Sequence, residues 1–77
     1  MKYNNTKLNL DFLITRRNKE IETGTSISFS EIAKELRLSE ATMLRARTTD
    51  TGSLITIAKM CRYMGKTIEE YLVFEDE

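Results

Sequence analysis

Between Ile27 and Met43 the sequence writes two helix beginnings in close succession, and this doubling limits the fold more than any other feature. The first is Ser28-Phe29-Ser30-Glu31. It has the form of a capping box, in which the serine hydroxyl serves the backbone N–H of residue 31 and the Glu31 carboxylate serves that of residue 28. Ile27 and Ile32 occupy the two positions of the hydrophobic staple that accompanies such a start. The second beginning is Leu38-Ser39 with Met43, which repeats the staple around Ser39 as cap. No glycine or proline separates the two. Projected as one helix at about 100° per residue, Phe29, Ile32, Ala33, Leu36, Met43 and Leu44 would share a face. That single helix would aim Leu38 straight into solvent, whereas a corner at Arg37–Ser39 buries it. Two helices are therefore expected, one from Phe29 to about Arg37 and one over about 40–48.

The flanking segments add further helices. From Leu8 the apolar positions Leu10, Leu13, Ile14 and Ile21, with the stem of Arg17, recur at helical spacing, so a first helix of about four turns is expected. It should end before "TGTSI", where Gly24 can adopt the left-handed conformation. The polar residues 1–7 are expected to be frayed. After the loop "TTDTGS", Ser53 caps a fourth helix with Leu54, Ile57, Ala58, Cys61 and Met64 as its inner face and Gly65 as its end. Thr67-Ile68-Glu69-Glu70 is another capping box and opens a short fifth helix through Tyr71 and Leu72, followed by an acidic tail over 73–77. The expectation is one all-α, five-helix domain over 1–77.

A single cysteine and no histidine leave no ordinary zinc site, internal disulfide or histidine-based catalytic centre. There is no glycine-rich phosphate loop and no paired-carboxylate constellation, so neither an enzyme nor a cofactor or small-molecule substrate is expected. No apolar run approaches a membrane span and the start lacks a signal peptide's apolar segment, which makes the cytoplasm the expected location. Formal net charge is zero, but the distribution is uneven. Residues 1–68 hold twelve bases against seven acids, and residues 69–77 hold five acids and no base. A basic body with an acidic tail leaves nucleic acid open as a partner.

The chain resembles the lambda-repressor/Cro-like helix-turn-helix group (the xenobiotic-response-element family of bacterial and phage regulators) from about Leu10 to Leu72. In "FSEIAKELRLSEATMLR", Ala33, Leu36, Leu38, Ser39, Thr42, Met43 and Arg45 fall where the family pattern places them, and "SLITIAKMCRYMGKTIEEYL" matches the family's next segment. The resemblance implies a helix-turn-helix formed by the second and third helices. The chain departs from the family in four places. Arg37 replaces the usual corner glycine, the Phe29 region replaces a glutamine that contacts phosphate, "ETGTSI" lengthens the first connection, and Arg47 replaces a glutamate that pairs with a first-helix arginine. An Arg17–Arg47 pair would repel, so support from Asp50 or Glu20 is expected.

Projected alone, the third helix sets Glu40, Ala41, Leu44, Arg45 and Thr48 on one arc, opposite Met43 and Ala46. That arc is what a major-groove reader presents. Arg45 suits bidentate recognition of guanine, Glu40 a cytosine amino group, and Ala41 or Leu44 a thymine methyl. An acid at Glu40 also serves the helix dipole without DNA. Phosphate contacts are expected from the helix starts at Ser28, Ser30, Gly52 and Ser53, from Arg47, Thr48 and Thr49, and from the basic cluster Arg16, Arg17 and Lys19. The resemblance implies a transcriptional regulator, a repressor first, bound to double-stranded DNA as a homodimer. Tyr71, Val73 and Phe74 are the expected dimer contacts. The alternative is a protein-binding module on the same fold, an antirepressor or antitoxin-like partner of a repressor or toxin.

Overall fold

The computed structural model describes residues 2–49 and 53–73. Four α-helices form the body: α1 (Asn5–Thr23), α2 (Phe29–Leu36), α3 (Glu40–Thr48) and α4 (Leu54–Met64). A 3-10 turn (Ile68–Glu70) follows, and two short strands, β1 (Lys2–Tyr3) and β2 (Leu72–Val73), pair antiparallel with Lys2 opposite Val73 and Tyr3 opposite Leu72. The class is all-α as expected, with four helices rather than five.

The two helix beginnings between residues 27 and 43 both form. Ser28 accepts from the backbone N–H of Glu31 at 3.1 Å while the Glu31 carboxylate accepts from that of Ser28 at 3.3 Å. Ser39 accepts from the N–H of Thr42 at 3.0 Å and caps α3. Between them Arg37 takes the left-handed conformation, with φ 57° and ψ 45°. Arg37 N–H donates to the Lys34 carbonyl and Leu38 N–H to the Ala33 carbonyl, the paired bonds of a Schellman motif. Leu38 turns back against the core, which rewards the corner.

The ends of the chain depart from expectation. Residues 2–7 are not frayed: β1 is held by β2, Asn4 N–H donates to the Tyr71 carbonyl at 2.7 Å, and the Asn4 side chain caps α1 by accepting from Lys7 N–H. Helix α1 consequently begins three residues before Leu8. The expected fifth helix stops after one turn. The expected capping box forms, with the Glu70 carboxylate accepting from Thr67 N–H at 2.9 Å, but the backbone bonds run i to i+3. After Tyr71 the chain extends to pair with β1 and cannot continue a helix.

The core is built from Leu8 and Phe12 of α1, Ile32 and Ala33 of α2, Met43 and Ala46 of α3, and Ile57, Met60, Cys61, Tyr63 and Met64 of α4, closed by Tyr71. The inner face of α1 is thus not the expected one. Leu10, Leu13, Ile14 and Ile21 are exposed, while Leu8 and Phe12 are fully buried. On α4, Ile57, Cys61 and Met64 face inward as expected, but Leu54 and Ala58 face out. Burial pushes the Cys61 thiol up to about 11, with Glu70 and Glu69 adding to the shift. Among the described residues no helix is long and apolar enough to cross a membrane.

Candidate nucleic-acid interface

Helix α3 offers the projected arc to solvent. Glu40, Ala41, Leu44, Arg45 and Thr48 are exposed, and Met43 and Ala46 are fully buried against the other helices. The alternation follows from Ser39: a cap there fixes where the helix starts and so which side chains point out. Thr48 and Thr49 donate their hydroxyls to the carbonyls of Leu44 and Arg45 at 2.8 Å, which ties both side chains to the last turn of the helix. Arg45 has no ion pair among the described residues. Leu44 remains half exposed and lies outside the core.

Beside this arc lies a group of two arginines and two phenylalanines. The Phe12 and Phe29 rings stack with centroids 6.1 Å apart and planes 14° from parallel. The guanidiniums of Arg16 and Arg47 each lie 4.5 Å from the Phe29 centroid, and Arg47 lies 5.3 Å from that of Phe12. Arg16 is further tied down: its Nε donates to the Ile27 carbonyl at 2.7 Å, and its Nη2 lies 3.9 Å from Glu20. Glu20 in turn accepts from Ile27 N–H at 2.8 Å, so Arg16 and Glu20 together clamp the connection between α1 and α2. Arg47 has no comparable anchor. Its Nε is buried without a hydrogen-bond partner among the described residues. Burial, and then the neighbouring charge of Arg16, lower its pKa.

The positions expected to contact phosphate are therefore sorted by the fold. Arg16 and Arg47 come together at the N-terminal end of α2, where Ser28 and Ser30 are exposed. Ser53 is exposed at the start of α4, with its oxygen engaged by Thr56 N–H at 3.2 Å. Gly52 lies outside the described residues. Arg17 does not join the cluster, because consecutive helical residues point about 100° apart. It sits on the outer side of α1 with Ile21 and Gly24. Lys19 goes elsewhere again, with its ammonium 4.1 Å from the Tyr63 ring centroid in a groove shared with Glu35, Arg37, Lys59 and Arg62. The expected cluster of Arg16, Arg17 and Lys19 is three separate placements.

The charge conflict foreseen at Arg47 is real, but its partner is Arg16 rather than Arg17. Glu20 does answer an arginine as expected, and that arginine is Arg16; Asp50 lies outside the described residues. Sequence reasoning missed Phe29, the ring on which both guanidiniums rest. The available signal was an aromatic residue at the first position of α2 together with Phe12 on α1.

The expected dimer contacts are corrected in part. Tyr71 is fully buried and its hydroxyl donates to Asp11 Oδ2 at 2.7 Å, so it closes the monomer and is unavailable to a partner. Val73 is partly exposed in the strand pair, and Phe74 lies outside the described residues. No protein-family profile, curated protein or solved structure matches the chain.

Proposed function

We propose that this chain is a sequence-specific DNA-binding regulator, a repressor in its simplest form, in which α2, the Arg37–Ser39 corner and α3 work as a helix-turn-helix. The observation that carries the reading is the pair Arg16 and Arg47 over Phe29, next to an α3 face that is wholly exposed. Two guanidiniums on one ring with a single carboxylate between them, among the described residues, leave positive charge uncompensated there. A phosphate at this edge would answer that positive charge, through the charge-assisted bonds that guanidinium forms with phosphate oxygens. The N-terminal end of α2 adds free N–H groups on the same side.

In this reading α3 enters the major groove with Arg45, Glu40, Ala41 and Leu44 on the base edges. Arg45 contributes about 1–3 kcal/mol of discrimination if it holds a guanine bidentately. Arg16 and Arg47 fix the register without reading sequence. A cytoplasmic location and occupancy of a palindromic operator by two copies follow from the same proposal.

The test is binding to double-stranded DNA from the chain's own upstream region, measured by fluorescence anisotropy at several salt concentrations. Affinity should fall with salt, and Arg47→Gln should flatten the slope of log K against log salt by about one. Arg45→Ala should remove sequence preference while far-UV circular dichroism stays unchanged. Absence of both specific and salt-dependent non-specific binding would overturn the reading. Half-exposed Leu44 and the acid Glu40 on the same face favour one alternative, a module that binds a toxin or repressor through α3. In that case Leu44→Lys abolishes capture of the protein partner and DNA binding is absent.

A further inference from the structure

Helix α1 is apolar on two opposite sides. One side carries Leu8 and Phe12 into the core. The other carries Leu10, Ile14 and Ile21, which are 57%, 48% and 71% exposed, with Leu13 at 38% beside them. Residues 10, 14, 17 and 21 recur at intervals of four, three and four, the spacing of a coiled-coil seam, and Arg17 supplies an aliphatic stem at the remaining position. A solvated helix face gains nothing from this pattern, and contiguous exposed apolar surface of this kind marks a contact site.

We propose that a second copy of this chain covers this face, through an antiparallel α1–α1 contact with two-fold symmetry. The charges select the arrangement. A parallel pair would set Arg17 against Arg17 in the middle of the seam. With the helices antiparallel and the two-fold axis between residues 15 and 16, Leu10 meets the partner's Ile21 and Ile14 meets the stem of the partner's Arg17. Lys7 falls opposite the partner's Gly24, its ammonium directed at the Glu70 carbonyl at 3.4 Å and at the Tyr71 ring of its own chain. Arg17 is exposed and free to lay its stem along the seam.

Shape supports the same register. Beside Ile21 the turn at Gly24 bends the chain back and leaves an open hollow of about 390 Å³ lined by Arg17, Glu20, Ile21, Gly24, Thr25 and Ser26. The antiparallel register brings the partner's Leu10 to its edge. The seam from Leu10 to Ile21 is about 17 Å long. A contact of that length lies at the small end of specific interfaces, which fits a reversible dimer with micromolar affinity rather than a permanent one. The contact does not depend on α3 reading DNA, and it replaces the C-terminal residues as the means of pairing two reading heads.

Sedimentation velocity without DNA, from low-micromolar to millimolar protein, tests the proposal. A monomer–dimer equilibrium is expected, and Ile14→Glu or Leu10→Lys should leave a monomer with unchanged helicity. Cross-linking fixes the direction: mixing Leu10→Cys with Ile21→Cys protein should give the mixed disulfide, whereas neither variant alone should cross-link, because like positions lie about 17 Å apart along the seam. The buried Cys61 supplies no competing thiol, and unsubstituted protein is the control. A monomer at every concentration, a dimer untouched by both seam substitutions, or a Leu10→Cys homodisulfide would each overturn it. Failure of DNA binding leaves these outcomes unaffected.

Discussion

Arg37→Gly should stabilise this protein, although it removes a charged side chain and introduces the most flexible residue. Arg37 is the one described non-glycine residue with positive φ. A left-handed conformation costs an L-residue about 1–2 kcal/mol because Cβ crowds the following carbonyl. Glycine is free of that cost but loses about 0.5–1 kcal/mol more conformational entropy on folding. The Schellman hydrogen bonds are made by backbone atoms and survive the change. The difference of the two ranges is centred on a gain of about 0.75 kcal/mol, which for a domain of this length raises Tm by roughly 3–6 °C. Thermal and urea denaturation followed by circular dichroism measure it. A competing cause is charge, since Lys19, Lys59 and Arg62 line the same groove as Arg37. Arg37→Ala separates the two: it removes the charge but keeps Cβ, so it should gain much less than glycine. Equal gains for alanine and glycine, or no gain for glycine, would refute the backbone account.

Tyr71→Phe deletes the 2.7 Å bond to Asp11 and leaves a partly buried carboxylate without its donor. A loss of about 1.5–3 kcal/mol is expected in urea titrations, as for hydrogen bonds to charged groups. Stability should also decline in alkali. The thiol of Cys61 is raised from 9.0 to about 11 in the folded chain, so its contribution is complete below pH 9 and disappears as pH climbs from 9 through 11, where only the unfolded state ionises freely. Tyr63 and Tyr71 are raised as well and act in the same sense. Cys61→Ala should flatten the fall in urea midpoint across that range, and a midpoint independent of pH from 9 to 11 would contradict the assignment.

What the sequence disclosed divides along physical lines. Caps at Ser28, Ser39 and Ser53 are local, each needing only a hydroxyl and the next turn of backbone, and all three form. Orientation of α1 was not local. Its outward stripe is richer in large apolar residues than its core face, which is completed by Arg16 and Lys19 setting their charged heads on aromatic rings. Periodicity finds a face but cannot say which of two opposite faces has a neighbour. The strand pair joins residues about seventy positions apart, and neither Lys2-Tyr3 nor Leu72-Val73 carries a strand signal by itself. At the candidate interface, the exposed arc of α3 followed from Ser39 alone. The arginine pair did not, because its stability depends on Phe29, read from sequence only as the loss of a phosphate contact.

The pairing of β1 with β2 also sets an order on synthesis. As the chain leaves the ribosome, β1 is the first described element to emerge and β2 the last. Asn4 N–H waits for the Tyr71 carbonyl, and Asp11 for the Tyr71 hydroxyl. The start of α1 therefore stays unlatched until residue 73 is available. A ribosome stalled before that point would hold a nascent chain whose three central caps are already set, while its first helix still lacks its final fastening.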